Sequence, residues 1–122
     1  MKVIISETQI NNIGLDKKAD AIYYLMNSLY PNNREEYNET TDDTNIYGDE
    51  SEDYLLLYYR WNDNDLYVGI SFINDLFSRT GLPFLNYEEI RTNKREMFND
   101  IIKIFAKRHY GWNVRNVLFH WH

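Results

Sequence analysis

The residues of this 122-residue chain best suited to chemistry are three imidazoles near its end, His109, His120 and His122. His120 and His122 are two apart, so on a strand both rings point to the same side and could bind one metal ion. A catalytic zinc usually takes three protein ligands, and the third here would be His109 or a carboxylate delivered by the fold. Nothing in the spacing brings that third ligand in. A metal-dependent enzyme using His120 and His122 is therefore the last of three readings of the chain.

Other catalytic chemistries find even less support. The chain has no cysteine, which excludes disulfides, thiolate nucleophiles and cysteine-containing zinc sites. None of Ser6, Ser28, Ser51, Ser71 and Ser78 sits in a G-x-S-x-G elbow, and the five glycines occur singly, so no Gly-rich loop is present to cradle a phosphate. The stretch DDTNIYGDESED lacks the regular alternation of oxygen ligands and the closing glutamate of a calcium loop. An acid–base carboxylate pair could be drawn from any of 19 acids, so the sequence neither favours nor excludes one. No catalytic residue, metal or cofactor is assigned, and no enzymatic activity is expected.

Two sets of residues are better suited to binding than to reaction. Tyr54, Tyr58, Arg60 and Tyr67 fall on one face of an expected β-hairpin, a face too apolar to stand wholly bare, and they are the candidate partner-binding residues. Arg91, Lys94, Arg95, Lys103 and Lys107 form a stripe on an expected long helix and are the candidate phosphate-binding residues, although Glu96 and Asp100 interrupt it. The net charge of −6 is unevenly spread: residues 1–78 hold 15 acids against 5 Lys and Arg, and residues 79–122 hold 4 against 8. The two halves should attract each other, and the basic half could instead meet an acidic partner or a polyanion.

Several elements must position these groups. KVIIS is β-branched enough for a short opening strand. Ala19, Ile22, Leu25, Met26 and Leu29 recur at helical spacing and Pro31 marks a stop, which predicts a helix at about 16–30. The acidic stretch that follows has little to bury, so a mobile loop is expected at about 32–52, with a short strand allowed around 45–48. YLLLYYRW and LYVGIS, separated by NDND, predict the hairpin 54–61/66–70, with Leu55, Leu57, Tyr59 and Trp61 inward. FINDLFSRTGL reads as a short helix closed by Gly81, and Asn86 caps a long helix at 87–109 stopped by Gly111. A final strand at 114–121 turns Val117, Phe119 and Trp121 inward and the terminal histidines outward. The whole is an α+β domain, a small mainly antiparallel sheet covered by helices.

MKVIISETQ, LMNSLYP, the acidic loop, LYVGIS, TGLPFLNYEEI and HYGW, spread over most of the chain, together give it a layout that resembles small accessory proteins of tailed bacteriophages. That group brings no activity or residue roles. The resemblance implies an accessory part in infection, in the virion or against a host protein in the host cytoplasm. No apolar run is long enough to cross a bilayer, so a soluble chain without a membrane partner is expected. The leading reading is a non-enzymatic protein-protein interaction, with another protein or as a homo-oligomer. The second is nucleic-acid binding through the basic helix.

Overall fold

The computed structural model describes residues 7–51 and 54–121, with side chains from 14 onward. The expected strand KVIIS and His122 lie outside the described residues. Helix α1 (Glu7–Leu29) buries Ala19, Ile22 and Met26, as their spacing predicts, but it begins at Glu7 rather than near Asp16. Its backbone runs through Asn11, Asn12 and Gly14, so fold context overrides their weak helix propensity.

The acidic stretch is more regular than its composition suggests. Strands β1 (Arg34–Asn38) and β2 (Asp43–Tyr47) form an antiparallel hairpin where a loop at 32–52 is expected; β2 overlaps the short strand allowed around 45–48, and β1 is the departure. The reason is visible in β2, where Thr44 and Ile46 are buried and alternate with polar Asp43 and Asn45. Two inward anchors and a neighbouring strand to pair with suffice, because the carboxylates can stay at the surface. Asp42 makes the tight turn in the left-handed region, φ 56°, which Asp tolerates better than most residues.

Strands β3 (Leu55–Arg60) and β4 (Asp65–Gly69) are the hairpin expected from the aromatic runs, turned at Asn64. The chain passes from Gly69 directly into α2 (Ile70–Thr80), closed by Gly81 at φ 65°. A 3-10 turn (Pro83–Leu85) leads to α3 (Tyr87–Thr92), whose N-terminus is capped by the Asn86 side chain. The long helix expected at 87–109 is broken here. Asn93 and Lys94 leave helical geometry, and both of their N–H groups turn back to the Glu89 carbonyl before α4 (Arg95–Tyr110) starts. The last strand, β5, spans Asn116–His120.

The sheet order is β1-β2-β3-β4-β5, antiparallel from β1 to β4 and parallel between β4 and β5. A parallel pair needs a long crossover, which α2, α3 and α4 supply. Helix α1 then lies mainly along α4. The result is an α+β fold with the described helices on one face of a mixed, mostly antiparallel sheet. Between the layers lie Leu57, Leu66, Val68 and Val117 from the sheet and Phe98, Ile101, Ile102 and Phe105 from α4. Gly111, at φ 72°, lets the chain leave α4 sharply and sets Trp112 into the core, stacked between Tyr59 (5.0 Å) and Tyr110 (4.5 Å).

Three residues expected in the core are not there: Leu55, which the register shift between Ile46 and Tyr47 turns to the far side of the sheet, and two tryptophans. Trp61 lies just beyond β3 and is partly exposed, its Nε1 donating to Thr44 Oγ1 (2.8 Å). Trp121 lies just beyond β5 and is 84% exposed. In both cases the alternation continues in sequence after the sheet has ended.

Candidate interaction face

Strand pairing decides which side chains share the face away from the helices. Asn45, Tyr58, Tyr67 and Leu118 are consecutive partners across β2, β3, β4 and β5, so they form one row on that face. Asp43, Arg60, Asp65 and Asn116 form the next row. Among the described residues, none of these eight side chains joins the hydrophobic core cluster.

The centre of the face is the Tyr58–Tyr67 pair, with ring centroids 4.3 Å apart and planes within 6°. Burial against its neighbours is the main influence that pushes the Tyr58 hydroxyl above the usual phenol range. His120 lies at one side, 5.5 Å from the Tyr58 ring. Arg60 is at the other, 3.3 Å from Asp63 and bonded to the Tyr67 hydroxyl. Toward β1, the Arg34 guanidinium sits 4.6 Å over the Tyr47 ring and pairs with Glu36. Asp65 accepts from Asn116 (2.9 Å). Asp43 Oδ1 is buried, and no hydrogen-bond donor meets it among the described residues.

Of the four expected partner-binding residues the fold thus brings Tyr58, Arg60 and Tyr67 together, but Tyr54 is on the other side of the sheet. The cause is a β-bulge. Ile46 pairs with Leu57 while Tyr47 pairs with Leu55, so Leu56 is an extra residue that reverses the alternation preceding it. Leu56 is fully buried in the core, and Tyr54 turns toward the helices. There the Tyr54 and Tyr30 hydroxyls both donate to Asp75 Oδ2, Tyr30 at 2.7 Å. Burial, each other and the Asp75 carboxylate hold Tyr30 far above the usual phenol range. Gly48 makes room for this cluster, since a Cβ there would lie 2.7 Å from a Tyr54 ring carbon.

The expected phosphate-binding stripe is dispersed. The break at Asn93 separates Arg91 from the rest, and Arg91 pairs with Glu88 (2.9 Å). Lys94 makes an ion pair with Glu89 (2.8 Å). Arg95 turns inward, donating to the Val117 carbonyl (2.7 Å) and Asn99 (3.0 Å) with its guanidinium 4.5 Å over Phe119. Lys107 donates to Asn113, and only Lys103 of the five is exposed with no polar contact recorded among the described residues. Charge attraction between the halves takes another form: Arg108 makes a bidentate contact with Asp20 (2.9 and 2.8 Å), joined by His109 Nε2 at 2.9 Å.

The histidines therefore separate. His109 stacks on Tyr23 at the α1–α4 seam, with centroids 4.0 Å apart, and His120 is on the open sheet face. Among the described residues no three His, Asp or Glu side chains gather as a metal-binding group. Also among them, no helix is long and apolar enough to cross a membrane. Sequence reasoning missed Asp43, Asn45 and Tyr47 as members of the face, whereas the alternation of the last strand already turns Leu118 outward with His120. For the three missed, the signal was the alternation of DTNIY, hidden within an acidic surrounding. Compared with known protein families, curated proteins and solved structures, the chain matches none.

Proposed function

We propose that this chain is a non-enzymatic protein-protein interaction protein whose contact surface is the sheet face centred on Tyr58 and Tyr67. The observation that carries this reading is the one-sided fold: the described helices cover one face of the sheet, while the other presents paired tyrosines, Leu118 and Arg60 in two rows. Tyr and Arg are the side chains that interfaces favour, because they combine large contact area with directional polar ends. The resemblance to phage accessory proteins supplies the setting, an infection-linked role in the host cytoplasm or the virion. The nucleic-acid reading loses its footing because four of the five stripe cations are engaged within the chain.

A photo-crosslinking residue tests the reading when placed at position 67 or 118 and compared with one at position 103 on the exposed side of α4. We expect crosslinks to one defined protein, or to a second copy of the chain, from 67 and 118 and not from 103. Crosslinks confined to 103, or none from the sheet face under conditions of infection, would remove it.

A further inference from the structure

We infer that Arg95 is an edge guard: its side chain closes the outer side of β5 and so keeps two copies of this chain from joining strand to strand. Strand β5 ends the sheet order, so one of its sides has no strand beside it. The pairing decides which backbone groups face that side. Trp61 donates its N–H to the Asp42 carbonyl, so by alternation Leu57 and Tyr59 bond toward β2, while Tyr58 and Arg60 bond toward their β4 partners Tyr67 and Asp65. Leu66 and Val68 are left to bond β5. In a parallel ladder the slanted bonds of Leu66 reach the residues on either side of its partner Val117, which are Asn116 and Leu118. The Asn116 N–H accordingly donates to the Asn64 carbonyl. Val117 and Phe119 therefore turn their backbone N–H and C=O groups outward.

An open row of this kind is a template for another strand. The opposite edge, β1, carries its own protection in the charges of Arg34, Glu35 and Glu36. Strand β5 reads NVLFH, with no Asp, Glu, Lys or Arg, so two copies could meet about a two-fold axis with no like charges opposed within the strands. What stands in the way is Arg95. From the first turn of α4 its guanidinium donates to the Val117 carbonyl (2.7 Å) and to Asn99 Oδ1 (3.0 Å), and it lies 4.5 Å over the Phe119 ring. An outward acceptor is thus already satisfied by a charged donor, and a second copy would bring another guanidinium to the same seam. Seating a strand there means giving up the first and opposing the second. The guard lies at the edge, apart from the Tyr58–Tyr67 pair, and does not depend on what that face binds.

The test compares the full-length wild type with Arg95→Ala by sedimentation equilibrium and by amide hydrogen exchange read by NMR. Lys103→Ala, which removes a cation from the exposed side of the same helix, controls for net charge. We expect Arg95→Ala to self-associate at least tenfold more tightly than either, with exchange at the Phe119 amide slowing as its concentration rises. A folded Arg95→Ala that sediments as wild type overturns the inference. So does an equal gain in Lys103→Ala, or association that slows amides elsewhere and leaves that of Phe119 unchanged. Arg95→Met keeps the packed stem and lacks the donor, so it decides the matter if Arg95→Ala does not fold: tighter association with the Phe119 signature supports the guard, and wild-type behaviour overturns it.

Discussion

Asp20 shows how far a single carboxylate can be committed. The Arg108 guanidinium, which bonds both of its oxygens, is the main cause that holds it below the usual carboxylate range, and His109 adds to the effect against some burial. A carboxyl depressed in the folded state stabilises above its unfolded pKa, about 3.9, and that contribution is lost as pH falls through the lower folded value. Asp20→Asn should therefore be less stable than wild type at pH 7, with the gap closing on acidification; urea midpoints measured across pH check this. A gap unchanged at pH 2 would show that Asp20 acts through packing alone. Tyr30 and Tyr110 run the opposite way, since burial is the main cause that raises both, so their neutral forms favour folding below pH about 10 and the benefit is lost above it. A spectrophotometric titration at 295 nm should find two phenols that ionise only as the chain unfolds in alkali, whereas smooth titration of all 11 tyrosines in the folded state would contradict it.

At the scale of elements, the joints carry the specificity. Asn86 accepts from the N–H groups of Glu88 and Glu89, and Asn86→Ala should cost about 1 kcal/mol by chemical denaturation, the usual worth of such a cap. Gly48→Ala should cost more than its loss of flexibility suggests, because the new methyl meets the Tyr54 ring and drives it from Asp75. The matching signature is a changed near-ultraviolet dichroism of the tyrosines, and an unaltered spectrum would argue against the Gly48 contact. Helix α2 and the β3–β4 hairpin were readable directly, since their apolar spacing and their turn or cap residues agree. The α3–α4 break and the Leu56 bulge were not. A bulge leaves local composition unchanged yet moves every residue before it to the other face, which is why Tyr54 was misassigned.

For the whole molecule, the core between α4 and the sheet is the structure on which all else depends. Phe105 is fully buried, touching Tyr23 and Tyr110, and Phe105→Ala should destabilise by about 3–5 kcal/mol. Replacing Tyr67 by Ser on the open face should be far milder for folding while weakening the proposed partner contact. A stability loss at Tyr67 comparable to that at Phe105 would mean that this face is part of the fold's own support. The charge asymmetry of the halves likewise acts at this scale. Its visible outcome among the described residues is the Arg108–Asp20–His109 staple between α4 and α1.

What the sequence by itself determined is the periodicity of each segment: helical spacing in α1, α2 and α4, alternation in β3, β4 and β5, and the stops at Pro31, Gly81 and Gly111. These follow from local sterics and from the need of each element to bury one side. Only the tertiary structure decided that the acidic stretch forms strands, that β5 joins parallel to β4, and which side chains share the open face. Those outcomes depend on pairing between distant segments, where one extra residue in a ladder or one neighbouring strand outweighs the preference of the residues themselves.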